Sequence, residues 1–228
     1  MRKLHLLLLI VVFIALGFSS QGNIDRYIRE ETGDLEKLIR KAKWVEGTVY
    51  FDNDSLSTLL LQYRRRDDIN FYLFCVAKIH EDSIRVFTAK DIYGYKMDGD
   101  YYQCYCTGNM HYFIHQVHNG KIALYERKYI PGDMQFLYYM KIPGNDYFFV
   151  VNPLEKNITE HRLPKAVRPS SESATKTYFV SNRIHEKFKL FVIRYLGDCN
   201  TVCNKVTSGS YTIYDLPSIV ETYNQCGE

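Results

Sequence analysis

The sequence holds little that announces a reaction. It has no Gly-x-Ser-x-Gly elbow, no phosphate-cradling loop, no His-Glu-x-x-His helix and no dinucleotide glycine fingerprint. The local signatures of elbow-type hydrolases, P-loop nucleotidases, zinc proteases and Rossmann dehydrogenases are therefore missing. Nor is there a strong charge of either sign: 29 Lys and Arg stand against 26 Asp and Glu, for a net +3. Such a balance is no electrostatic footprint for nucleic acid. The one basic run, Arg64-Arg65-Arg66, is followed at once by Asp67-Asp68 and reads as a self-neutralising turn. Past the first twenty residues no apolar run is long enough to span a bilayer. No cysteine precedes Cys75, which argues against a lipoprotein anchor.

What is present begins with Met1-Arg2-Lys3, an apolar run from Leu6 to Leu16, and the small or polar Gly17-Phe18-Ser19-Ser20-Gln21. A basic start, a short apolar middle and a small-residue exit make a secretory signal peptide over residues 1–21. Export to the periplasm or cell surface is the expectation, with no transmembrane span left after processing and a net charge of about +1 once Arg2 and Lys3 are gone. Six cysteines (Cys75, Cys104, Cys106, Cys199, Cys203 and Cys226) would then meet an oxidising compartment, where an even number invites disulfides. Spacing alone leaves their connectivity open.

Apolar positions Ile24, Tyr27, Ile28, Leu35, Leu38, Ile39 and Ala42 recur at helical spacing, so residues 22–43 are read as an amphipathic helix that Gly33 could divide. Residues 44–152 change character. Val45 to Phe51, Leu59 to Tyr63, Ile69 to Ile79 and Ile84 to Phe87 are rich in branched and aromatic residues, as strands are. Asp98-Gly99 and Asn119-Gly120 each sit between two such runs and predict tight hairpin turns. Further strands are expected at Met134 to Ile142 and Tyr147 to Val151, joined through Pro143-Gly144-Asn145-Asp146. Residues 153–176 are poor in apolar side chains and read as a connector. In 177–228, Ile184, Phe188, Phe191, Val192, Tyr195 and Leu196 form a helical stripe ending at Gly197. A last helix carries Leu216, Ile219, Val220 and Tyr223 with Asp215 at its N-cap. The fold class is α+β: an antiparallel β-meander, as a sheet, sandwich or partly open barrel, followed by a small helical C-terminal subdomain.

His111, His115 and His118 lie within eight residues. On a helix they would share one face and suit a metal ion. The flanking Tyr112, Phe113, Ile114 and Val117 favour a strand, on which His111 and His115 share a face and His118 points the other way. Four residues of strand separate the first two by roughly 13 Å, too far to share zinc. Ordinary sheet histidines are expected, with no metal and no cofactor. Cys104-Tyr105-Cys106 puts both thiols on one strand face, where cross-strand pairing or burial is expected rather than a bridge between them. Cys199 and Cys203, a helical turn apart, suit burial or pairing with Cys226.

Tyr195 to Val202 (YLGDCNTV) and Asp215 to Cys226 (DLPSIVETYNQC) resemble the ending of a group of exported β-rich proteins of Bacteroidota, and Phe87 to Tyr95 and Asn119 to Tyr125 are similar to the same group upstream. Some of its members carry an outer-membrane barrel after this region. The resemblance, which covers roughly residues 44 to 226, implies no named activity, but it implies that Cys199 and Cys226 are a matching disulfide pair and leaves the partner of Cys203 open.

No catalytic residues are singled out. The expected role is an exported cell-envelope protein acting as a non-enzymatic binding or structural module, for which an envelope protein or a glycan is the candidate partner. A lipocalin-like carrier of a small apolar ligand is the first alternative, although its Gly-x-Trp start is missing around Trp44, which follows Ala42-Lys43. A hydrolase with dispersed catalytic residues is the second.

Overall fold

The computed structural model describes residues 22–40, 42–63, 69–80, 83–107, 110–128, 137–142, 144, 147–154, 157–162, 175–178 and 184–227. The leader over 1–21, the Arg64 to Asp68 turn and most of the Pro143 to Asp146 turn lie outside these residues. Asp98 and Gly99 reverse the chain with φ angles of 52° and 90°. Positive φ at both positions is what a two-residue hairpin turn demands, and Gly99 meets it without steric cost. The register follows, with Met97 opposite Asp100 and Tyr95 opposite Tyr102.

Helix α1 spans residues 22–32 and α2 Leu35–Arg40, parted at Gly33 as the spacing suggested. Strand β1 starts earlier than expected, at Ala42–Tyr50, and pairs along its whole length with β2 (Ser55–Tyr63). The run from Ile69 to Ile79 is not one strand. Its first part is a single helical turn, α3 (Asn70–Leu73), and only then does β3 (Phe74–His80) begin. All of Asn70 to Ala77 is buried, so the hydrophobicity that suggested a strand there reflects burial rather than period-two alternation. β4 (Ser83–Thr88) forms an edge beside β3, the chain then returns to lay β5 (Gly94–Met97) beside β1, and β6 (Asp100–Thr107), β7 (Met110–His118), β8 (Ala123–Arg127), β9 (Leu137–Lys141) and β10 (Tyr147–Asn152) follow β5 as a meander. Residues 153–176 are not merely a connector: β11 (Asn157–Arg162) pairs with β10, and β12 (Thr175–Tyr178) pairs with β11. Backbone pairing supplies there what the polar side chains conceal. The strands form one open antiparallel sheet in the order β12-β11-β10-β9-β8-β7-β6-β5-β1-β2-β3-β4. Helices α4 (Ile184–Leu196), α5 (Asn200–Thr207) and α6 (Leu216–Gln225) complete the chain.

Two compact units divide it, one built from the chain up to Phe113, the other from Ile114–Arg127 and the later strands and helices. In the first unit the buried face carries Val49, Leu60, Ala77, Tyr95, Met97 and Tyr102. Tyr95 and Tyr102 stack with ring centroids 4.7 Å apart, and Tyr95 Oη donates to the Phe71 carbonyl at 2.5 Å. That bond satisfies a hydroxyl that could not otherwise be buried cheaply.

In the second unit, Leu124, Met140, Phe149 and Val151 of the strands meet Phe188, Val192 and Leu196 of α4, Val202 of α5, and Ile219 and Val220 of α6. The α4 stripe is the one its spacing predicted. Helix α5, unmarked by any strong apolar repeat, owes its place to burial of Val202 and Val206. Asp215 precedes α6, yet its carboxylate accepts hydrogen bonds from Thr212 N and Oγ1 instead of capping α6. The α6 start is instead made by Pro217 in the first turn, where a missing N–H costs nothing. Asn119-Gly120 also departs from expectation: neither residue has positive φ. The room a glycine leaves is used by Asn224 of α6, whose Cγ lies 2.6 Å from where a Gly120 Cβ would stand. Asn224 accepts from Ile122 N at 2.8 Å and donates to Ile122 O at 3.0 Å, so one side chain pairs the backbone as a strand neighbour would.

Candidate functional site

Neighbouring strands β6 and β7 carry the chemically notable group. Residues two apart on a strand point to one side, so Cys104 and Cys106 share a face, and their sulfurs lie 3.1 Å apart. From β7, His111 Nδ1 approaches Cys106 Sγ at 3.0 Å. Cys104 is buried, with its sulfur 3.0 Å from the Ala89 carbonyl oxygen, while Cys106 is only half-buried. The sequence predicted burial or cross-strand pairing for these thiols. The structure buries Cys104 and makes Cys106 the cross-strand partner of a histidine.

Electrostatics separate the two sulfurs. The hydrogen bond from Cys104, and then that of His111, hold Cys106 below the usual thiol range against the opposing effect of burial. Cys104 moves the opposite way, raised first by its hydrogen bond with Cys106 and then by burial. The two shifts run in opposite directions, the division that favours a thiolate on Cys106 beside a protonated Cys104. Buried Cys75, with no such partner, is raised by desolvation alone.

Beside this trio lies a cavity of about 440 Å³ lined by Asp25, Ile28 and Arg29 of α1, Thr88, Lys90 and His111. Lys90 Nζ binds the Asp25 carboxylate at 3.1 Å. Thr88 and Lys90 flank Ala89, the residue whose carbonyl holds Cys104, so the cavity wall and the thiol support are the same stretch of chain. A larger open cavity, about 1060 Å³, is bordered in the same unit by Glu46, Leu59, Lys78, His80, Lys96 and Asp98.

The three histidines do not converge. His111 turns to Cys106, whereas His115 Nδ1 lies 3.5 Å from Glu126 Oε1. His118 is not on the opposite side as alternation required. A register shift between Gln116 and His118 sets it opposite Leu124, on the side of β8 that also bears Glu126. Among the described residues no cluster of three or more His, Cys, Asp and Glu side chains is placed to hold a metal ion.

Cys199 and Cys226 are joined by a disulfide, with Cα atoms 5.8 Å apart, tying the start of α5 to the end of α6. Lys121 Nζ donates to the Cys226 carbonyl. Cys203 has a free thiol, facing the Leu196 carbonyl. Comparison of the chain with protein-family models, with curated proteins and with solved structures finds no match to any of them.

Proposed function

We propose that the protein is an exported module of the cell envelope that binds or braces an envelope protein or glycan. The observation carrying this reading is the Cys199–Cys226 disulfide, because such bridges persist where the surroundings oxidise and are rare in a reducing cytosol. The leader-like start supports it, as does the resemblance to exported Bacteroidota proteins, which pairs the same two cysteines. No helix of the described residues is long and apolar enough to cross a membrane. Expression of the full chain followed by fractionation tests the reading. The processed protein should be found with the envelope or periplasm and with Cys199 and Cys226 resistant to alkylation until reduced. Full-length protein in the cytoplasm with both thiols alkylated would end it.

The lipocalin-like alternative asks for a closed eight-stranded barrel around an apolar cavity, and the linear order of twelve strands gives it little support. The hydrolase alternative draws support from the Cys106–His111 pair. A second thiol 3.1 Å from the first, which a thiol hydrolase has no use for, turns the chemistry elsewhere.

A further inference from the structure

We propose that Cys104 and Cys106 are a reversible dithiol–disulfide pair, with Cys106 as the attacking sulfur, His111 as the residue that holds its thiolate, and the cavity beside His111 as the approach for a disulfide substrate. This goes beyond envelope binding and stands on the first unit alone, wherever the chain is sent.

Three observations converge. The two sulfurs already lie 3.1 Å apart on one strand face. Only one of them is half-exposed, and it is the one in contact with His111 Nδ1. A cavity of about 440 Å³ then opens on His111 itself, within the size range of small-ligand sites. Its lining has two cations, Arg29 and Lys90, against the single carboxylate of Asp25, which suits an anionic disulfide. The Cys106 thiolate is the form that attacks disulfides.

The step balances without any other reagent. Cys106 Sγ attacks one sulfur of a substrate RS–SR, forming a mixed disulfide and releasing RS⁻. Cys104 then gives up its proton and attacks Cys106 Sγ, forming the Cys104–Cys106 bond and releasing the second RS⁻. The pair loses two electrons and the substrate gains them. Residues two apart on a strand have Cα atoms about 6.6 Å apart, near the upper end of what a disulfide spans.

The test uses the reduced, full-length mature protein and two probes, oxidised glutathione and disulfide-bonded insulin. After acid quenching and alkylation, the tryptic peptide from Met97 to Lys121 reports on these two cysteines alone. The expected result is joint loss of both alkylation sites, restored by excess reductant. Cys104→Ser should stop at a mixed disulfide on Cys106, and Cys106→Ser should react at least about tenfold more slowly. His111→Asn should slow Cys106 alkylation roughly tenfold at pH 6.5 and leave it unchanged at pH 9.5, where an ordinary accessible thiol is ionised without help. Cys104 and His111 are the titratable groups that act on Cys106, Asp52 and Tyr93 interact with Cys104, and Asp25, Arg29 and Lys90 line the cavity beside His111. Reaction with glutathione only assigns a small-molecule source, with insulin only a protein source, and both support the pair. If both sites stay alkylatable after treatment with each of the two probes, or Cys106→Ser reacts as fast as the unmodified chain, the proposal fails. The unmodified chain alone suffices for that outcome, so a variant that does not fold cannot rescue it.

Discussion

The two units spend the same residue types differently. In the first, tyrosine fills much of the interior: Tyr63, Tyr72, Tyr95, Tyr102, Tyr105 and Tyr112 are all buried, and the strands supply most of the hydrogen-bonding frame. In the second, aliphatic side chains from three helices cover one face of the strands, and a disulfide ties two of those helices together. Cysteine follows the same division. In the first unit Cys75, Cys104 and Cys106 keep their thiols, while in the second Cys199 and Cys226 are bridged and Cys203 alone stays free. A thiol pair two residues apart on a strand holds its reactivity in reserve. A pair at the ends of two packed helices closes a 27-residue separation and serves stability.

Removal of the aromatic centre of the second core should break that contrast most severely. Phe149 packs its ring against Phe191 and Tyr195 with centroids 5.0 and 4.6 Å away. Phe149→Ala should cost about 3 to 5 kcal/mol, read as lost hydrogen-exchange protection in α4 and β9, while Tyr95 and its neighbours in the first unit keep theirs. Loss of protection spread evenly over both units would show that they do not hold separate cores.

Opening the disulfide comes next. Cys199→Ser should destabilise the second unit by about 3 kcal/mol, since closing a loop of this length removes that much freedom from the unfolded chain. Urea denaturation of the variant against the parent checks it, and thiol chemistry at Cys106 should be unchanged.

On the other side of the comparison, Tyr95→Phe deletes the hydroxyl that donates to Phe71 O. A loss of about 1 kcal/mol is expected, confined to exchange of the first unit. An effect within error would mean that the stacked rings, and not the hydroxyl, hold that core.

The smallest effect concerns alkaline pH. Burial, and then the hydrogen bond to Asp198, push the Tyr223 phenol up to about 12. A folded pKa above the unfolded one means its stabilisation is full below about pH 10 and is lost as pH rises from 10 toward 12. Tyr223→Phe should flatten that decline relative to the parent. Parallel pH profiles for the two proteins would remove Tyr223 from the account.

Local patterns carried much of the architecture. The α4 stripe from Phe188 to Leu196 and the Asp98-Gly99 turn could be read directly, because helical spacing and positive φ are properties of a few adjacent residues. Residues 157–162 could not, since a polar strand such as NITEHR is recognised only by the partner that pairs it. Asn119-Gly120 misled for a related reason: its glycine serves a contact with Asn224, over a hundred residues away. The site was half legible. Cys104 and Cys106 on one strand face follow from period two, yet nothing in their own neighbourhood says that His111 is the group they meet.

By itself, then, the sequence determined the α+β class, the α4 stripe, the Asp98-Gly99 turn and the shared face of the two thiols, all consequences of spacing along one chain. Only the tertiary structure decided that Cys106 touches His111 beside a cavity, that His118 slips to the side of His115 at a bulge, and that polar residues 157–162 join the sheet. Those outcomes depend on which strand becomes the neighbour, and hydrogen bonding between strands is set by the whole sheet rather than by any segment of it.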